Sequence, residues 1–156
     1  MKKSQIDKLV FFLLLLWIVG IFAAPLMHVL PEAVGFLFLW KHSYSFVCHQ
    51  QPDKCYTVAG ESLSVCARCL GIYAGSLVGL LIAIVFPRIK RRVTGVTSIL
   101  IFLVIMSGDV FLVLLGVYPY NKIRASVTGA LVGFTLISYI YPEIRKFLLE
   151  KRNNDS

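Results

Sequence analysis

The amino-acid sequence predicts an all-α integral membrane protein, a four-helix bundle with a cysteine- and histidine-bearing extracytoplasmic loop between its first and second helices. Three observations carry that expectation. Of the 156 residues, 58% are hydrophobic and only 15% are charged, against about 25% charged in an ordinary soluble domain. Four stretches are long enough, or nearly so, to cross a hydrocarbon core of about 30 Å at about 1.5 Å per residue. The basic residues fall in short runs between those stretches and not in one patch, as membrane topology requires.

The first predicted span covers residues 9–30, with a kink near its end at Pro25. A positive start followed by an apolar run also resembles a secretory signal. Here the run is longer than an h-region of about 7–15 residues, and Ala23-Ala24-Pro25 puts proline at a poor cleavage position. An uncleaved helix is therefore expected. The second span is 70–86, the third 95–116 and the fourth 126–141. The second and fourth are short and need tilt or local thinning of the bilayer. The whole chain, 1–156, reads as one membrane domain with an outer loop over 31–69.

Charge sets the orientation. Lys2, Lys3, Lys8, Arg88, Lys90, Arg91, Arg92, Arg145, Lys146, Lys151 and Arg152 fall on one side. Lys41, Lys54, Arg68, Lys122 and Arg124 fall on the other. The positive-inside rule places the richer side, and with it both termini, in the cytoplasm of a cell-membrane protein. The net charge of +8 is accounted for in this way. Nucleic acid is not an expected partner, because no basic face interleaved with aromatics appears. The lipid bilayer is.

The outer loop opens with Phe36, Phe38, Trp40, Tyr44 and Phe46, which predict a short helix at the interface or packed over the bundle top. In the second span Gly71, Gly75 and Gly79 recur every fourth residue, and Gly129 and Gly133 repeat the device in the fourth. Such stripes let a second backbone approach closely, either within the chain or in a homodimer through Gly71, Gly75 and Gly79.

All four cysteines lie in the outer loop. Cys48 is followed by His49, then come Cys55 and the pair Cys66-Ala67-Arg68-Cys69. Spacing of three at a helix start puts Cys66 and Cys69 on one face. The helix N-terminus and Arg68 both favour the thiolate. Three chemistries fit. A remote Cys-His pair plus C-x-x-C supplies the ligand types of a zinc site, and iron also accepts sulfur and imidazole. The set would be Cys48, His49, Cys66 and Cys69, or all four cysteines with Cys55. Adjacent side chains diverge, which makes Cys48 and His49 awkward as joint ligands. An even cysteine count in an extracytoplasmic loop also suits two disulfides. An exposed C-x-x-C suits a redox dithiol, with Cys66 and Cys69 as its catalytic pair.

Asp109 lies inside the third span, about 10 Å from its outer end at about 1.5 Å per residue. A carboxylate at that depth needs a partner and should face the bundle interior. Arg68 and Arg124 are the cations available, and Tyr73, Asn121 and Thr128 could complete a pocket with them. His28 and His42 read as solvated interfacial residues, and Glu32, Asp53 and Glu61 as loop solvation. No hydrolase, phosphate-loop or paired-carboxylate motif appears, and the sequence names no reaction.

At Cys48-His49-Gln50-x-Pro52 and Cys66-Ala67-Arg68-Cys69-Leu70-Gly71-Ile72-Tyr73-Ala74-Gly75 the chain resembles a family of small prokaryotic multi-pass membrane proteins of unknown function. Asp109, Asn121, Arg124, Thr128-Gly129 and Gly133 are similar to that family's downstream polar positions, so the likeness covers roughly residues 48 to 133. Cys55 falls where the family often has a small residue such as serine. The resemblance therefore implies a ligand set of three cysteines and one histidine over two disulfides, and it implies no activity. A looser likeness is to four-helix membrane thiol oxidoreductases that pass electrons to quinone. On that likeness the chain would be an enzyme, with quinone near Asp109 and Arg124. A small transporter or lipid-binding protein using Asp109 and Arg124 is a third expectation.

Overall fold

The computed structural model describes residues 3–29, 32, 34–85 and 96–154. Expectations that fall on Leu30, Pro31, Phe86, Gly95 and the basic residues of 88–92 lie outside these, as does the side chain of His28. The fold is mostly helical: α1 (Lys3–Gly20), α2 (Ala23–Val29), α3 (Val34–Ser43), β1 (Cys55–Val58), β2 (Glu61–Cys66), α4 (Ala67–Val85), α5 (Val96–Leu114) and α6 (Lys122–Asn154). Among the described residues three helices are long and apolar enough to cross a membrane: α4, α5 and the Lys122–Phe147 part of α6. Helix α1 has 18 residues but carries Lys3, Asp7 and Lys8.

The centre of the bundle is the α4–α6 seam. A Cβ on Gly71 would come within 2.1 Å of the Ser126 carbonyl oxygen, and one on Gly75 within 2.1 Å of that of Ala130. Reciprocally, a Cβ on Gly129 would meet the Arg68 carbonyl at 2.3 Å, and one on Gly133 the Ile72 carbonyl at 2.0 Å. Each backbone fits where the other lacks a side chain, which is the close approach that small residues permit between membrane helices. The stripe expected at Gly71, Gly75 and Gly79 is thus occupied within the chain, and that face has no room for a second copy.

Helix α5 is held differently. Among its described residues Asp109 alone is buried, while most of its apolar side chains, such as Val104 and Leu114, point outward. Lipid covers such a surface without loss, because hydrocarbon tails are as apolar as leucine.

The first span is not the continuous helix kinked at Pro25 that the sequence suggested. The break comes earlier, between Gly20 and Ala23. Ile21 and Phe22 donate to the carbonyls three residues back, Ile18 and Val19, each at 3.1 Å. Two acceptors are left free, the Trp17 carbonyl by this tightening and the Ile21 carbonyl because Pro25, four residues on, has no N–H, and both are taken from outside the helix. The Tyr44 hydroxyl donates to the Trp17 carbonyl at 2.5 Å, and the Ser64 N–H donates to the Ile21 carbonyl at 3.1 Å. Glycine is required at position 20, since a Cβ there would sit 1.8 Å from Trp40 Nε1. Pro25 lies in the first turn of α2, where a missing N–H costs nothing.

The outer loop corrects the all-α expectation. Strands β1 and β2 pair antiparallel, with Cys55 opposite Cys66 and Val58 opposite Glu61. Ala59 and Gly60 connect them at φ 52° and 84°, both left-handed, as a two-residue hairpin turn demands. Helix α4 begins at Ala67 and not at 70, and α6 runs from Lys122 through Pro142 to Asn154, well past the expected end at 141. Helix α3 and the turn after it (Tyr44–Phe46) pack partly over the bundle: Leu37 and Tyr44 are buried, with Trp40 packed against Tyr44, while Phe36, Phe38 and Phe46 remain exposed.

Candidate metal centre

Three segments converge at the end of the bundle where α4 and α6 begin. Cys48 follows the turn after α3, Cys66 ends β2, and Cys69 lies in the first turn of α4. Their three Sγ atoms all lie within 4.8 Å of one another. Two devices fix Cys48. Its N–H donates to the Tyr44 carbonyl at 2.9 Å, and its Sγ accepts from the Cys66 N–H at 3.2 Å. Gln50, in the left-handed region at φ 49°, then donates through Nε2 to the Ser64 carbonyl at 2.9 Å and the Lys41 carbonyl at 3.2 Å. It pins the segment after Cys48 onto β2. Gln50 belongs to the sequence motif, yet its composition gave no hint of this clamp.

All four cysteines are free thiols. Their environments differ. Hydrogen bonds from the Cys66 and Cys69 thiols, assisted by the Cys66 N–H, hold the Cys48 thiol well below its ordinary range against the opposing effect of burial. Burial, with Cys48 and Cys66 nearby, pushes the Cys55 thiol up to about 11. Cys48 is therefore the ready anion, and Cys55 stays protonated.

The donor set suits a thiophilic ion. Tetrahedral zinc with Zn–S of about 2.3 Å has sulfurs about 3.8 Å apart, so three thiols already within 4.8 Å need only a small closure. Iron takes the same donors. Cys48, Cys66 and Cys69 together form a site that can hold a metal ion. His49, the expected fourth ligand, is exposed and lies outside this cluster, and Cys55 is buried outside it. His42 is exposed and meets Phe46 edge-on, ring centroids 5.8 Å apart.

The expected polar pocket divides. Asp109 pairs with both arginines. Arg68 Nη2 donates to Oδ2 at 2.7 Å, Arg124 Nε donates to Oδ1 at 2.8 Å, and the Tyr118 hydroxyl donates to Oδ1 at 3.1 Å. The Arg124 guanidinium also lies 3.8 Å from the centre of the Tyr118 ring. Asp109 is 7% exposed, Arg68 18% and Arg124 40%. The other three expected members go elsewhere. Asn121 Oδ1 accepts from the N–H groups of Ile123 and Arg124 at 2.9 and 3.1 Å, capping α6. Thr128 bonds to carbonyls of its own helix. Tyr73 packs by the cysteines, its ring 6.2 Å from that of Trp17.

Two further contacts tie the hairpin to α6. Lys122 Nζ donates to the Cys55 carbonyl at 2.6 Å, and the Tyr56 hydroxyl lies 3.1 Å from Ser126 Oγ. At the opposite end Asp7 accepts from the Tyr141 hydroxyl and lies 3.7 Å from Arg145 Nη1. Nothing in the local sequence announces that pairing, because its partners are almost the whole chain apart.

No solved structure matches the chain. The chain is 34% identical to an uncharacterized protein of Methanocaldococcus jannaschii, over 97% of its own length and 99% of that protein's. It is 29% identical to an uncharacterized protein of Methanothermobacter thermautotrophicus, over 60% of its length and 83% of the relative's. Residues 48–139, which hold the cysteines, both arginines and Asp109, match the family described as "Predicted membrane protein (DUF2085)". The chain is a membrane protein and belongs to that family.

Proposed function

We propose that the chain is a four-pass membrane protein whose outward end carries a zinc or iron ion on Cys48, Cys66 and Cys69. His49 or an exogenous group would take the fourth position. The observation that carries this reading is the meeting of three thiols, from segments distant in sequence, within 4.8 Å. An ion there clamps the segment after α3 to the start of α4 and thereby ties the broken first span to the α4–α6 seam. Helix α1, continued by α2, is the fourth crossing in this reading. Its Asp7 lies at the Arg145 end of the bundle and its Trp17 beside Tyr73 near the other end. The excess of Lys and Arg at the Asp7 end favours the cytoplasm there.

A second reading has one observation behind it. A lowered Cys48 thiol beside a C-x-x-C pair suits nucleophilic attack, as a quinone-linked thiol oxidoreductase would need. Metal content of the purified, reduced protein separates the two. The metal reading expects about one ion per chain, lost in each of Cys48→Ser, Cys66→Ser and Cys69→Ser and kept in Cys55→Ser. Metal-free protein with a disulfide among these thiols would overturn it in favour of the redox reading. Reporter tags at each terminus test the orientation, and a terminus found outside the cytoplasm would reverse it.

A further inference from the structure

The charges around Asp109 do not balance. One carboxylate faces two guanidiniums, Arg68 and Arg124, so the cluster keeps one positive charge, with Asp109 buried and Arg68 largely so. Arg68 Nε is buried and has no hydrogen-bond partner among the described residues. Beside it opens a cavity of about 220 Å³ lined by Lys54, Arg68, Val110, Val113, Leu114 and Tyr120. The Lys54 ammonium lies 5.8 Å from the centre of the Tyr120 ring, which adds a second cation to the same wall.

The two walls of this cavity differ in chemistry. Lys54, Arg68 and Tyr120 form a polar, cationic side, contributed by the hairpin entrance, the first turn of α4 and the turn before α6. Val110, Val113 and Leu114 form an apolar side on α5, and Leu114 is 80% exposed on the outer surface of that helix. The volume is below the 300–1,000 Å³ or so of a site that encloses a whole small molecule. It accommodates an anionic head while an attached chain stays outside. Unbalanced positive charge, an orphaned guanidinium N–H and an apolar wall continuous with the lipid-facing surface point to one class of occupant.

We propose that this cavity binds the phosphate diester of an anionic phospholipid, with Lys54 and Arg68 as its cationic partners and the acyl chains running down the α5 surface. Arg68 acts here as a bridge. It holds Asp109 through Nη2 and turns its remaining positive charge to the lipid, so that α4, α5 and a lipid are joined at one point. The site is separate from the thiol cluster and stands or falls without the metal.

The test uses the full chain in detergent micelles, titrated in turn with phosphatidylglycerol, phosphatidylcholine and inorganic phosphate, bound molecules being counted by native mass spectrometry. The expected result is retention of phosphatidylglycerol at one site per chain. Its affinity should fall about tenfold or more in Lys54→Ala, the loss of one charge-assisted contact, and by a similar factor in Val113→Trp, which fills the cavity. Val104→Ala, on exposed α5 surface outside the cavity, should leave it unchanged. Lys54 is exposed, so that variant keeps the fold. Equal retention of phosphatidylcholine would overturn the proposal, as would unchanged affinity in both cavity variants. Binding of inorganic phosphate as tightly as the lipid would assign the site to a free anion and overturn the lipid reading.

Discussion

The two ends of the bundle use the same three kinds of group in different proportions. At the end near the chain termini, Asp7 meets one arginine, Arg145, and one tyrosine, Tyr141. At the cysteine end, Asp109 meets two arginines and one tyrosine, with three thiols and a cationic cavity close by. The first arrangement is neutral and complete: it fastens α1 to α6 and asks for nothing more. The second keeps excess positive charge and sets three free thiols together, so it is built to receive something. Chemical versatility here follows from what a cluster leaves uncompensated, not from which residue types it contains.

The sharpest way to break that comparison is to neutralise each carboxylate. Asp109→Asn leaves two guanidiniums without a counter-charge at the one buried position of α5. Breaking a buried ion pair costs about 3–5 kcal/mol, and the partial exposure of Arg124 argues for the lower figure, about 3 kcal/mol. Asp7→Asn keeps a hydrogen-bond acceptor for Tyr141 and loses one long contact of 3.7 Å to Arg145, so about 1–2 kcal/mol is expected. Unfolding titrations in mixed micelles measure both, and equal costs would erase the distinction between the ends.

A smaller effect is expected where the broken first span meets the cysteine loop. Tyr44 is fully buried, donates to the Trp17 carbonyl and accepts from Trp40 Nε1 at 3.0 Å. Tyr44→Phe orphans both groups and should cost about 2 kcal/mol, within the usual penalty of about 1–3 kcal/mol for unmet buried polar atoms. The same titration should also show loosening at the cysteine end only, read as faster thiol labelling. A variant as stable as the parent would mean the break is held by something else.

The thiols themselves give the smallest and most selective contrast. Folding raises the Cys55 thiol to about 11, above an ordinary thiol near 8.5. Its contribution to stability is therefore intact below pH about 8.5 and lost as pH rises through about 11. Cys48 is shifted the other way, so its contribution is full only above about 8.5, the ordinary thiol value, and declines steadily as pH falls from there toward its low folded value. In metal-stripped protein, alkylation followed by peptide mass spectrometry across pH should modify Cys48 ahead of Cys55 at neutral pH, with Cys55 catching up only in strong alkali. Equal rates at neutral pH would contradict the two environments.

Much of this was legible in the sequence because it rests on spacing. Glycines four apart announce a close backbone approach whatever lies opposite, and C-x-x-C announces two neighbouring sulfurs, although Cys66 ends β2 and only Cys69 is helical. Asp109 announces itself by its cost in lipid, and its two candidate partners were readable, though not that it takes both. The divergence of Cys48 and His49 was also readable from their adjacency. The break after Gly20 was not, because a glycine in a run of leucines reads as tolerated. Its necessity comes from Trp40, which reaches it only in the folded chain. The hairpin left a trace in Ala59-Gly60 and in the alternation of Leu63 and Val65, but a loop between two spans gives no reason to look for strands. The roles of Gln50, Tyr44 and Asp7 depend on partners brought in by folding, and no local pattern carries them.

The central claim is that Cys48, Cys66 and Cys69 hold one ion together while Cys55 stays apart. X-ray absorption at the zinc edge of zinc-loaded protein tests it most directly. Three sulfur scatterers at about 2.3 Å with one nitrogen or oxygen scatterer at about 2.0–2.2 Å is the predicted first shell, unchanged in Cys55→Ser. Four sulfurs that fall to three in Cys55→Ser, or a shell with two sulfurs or fewer, would contradict it.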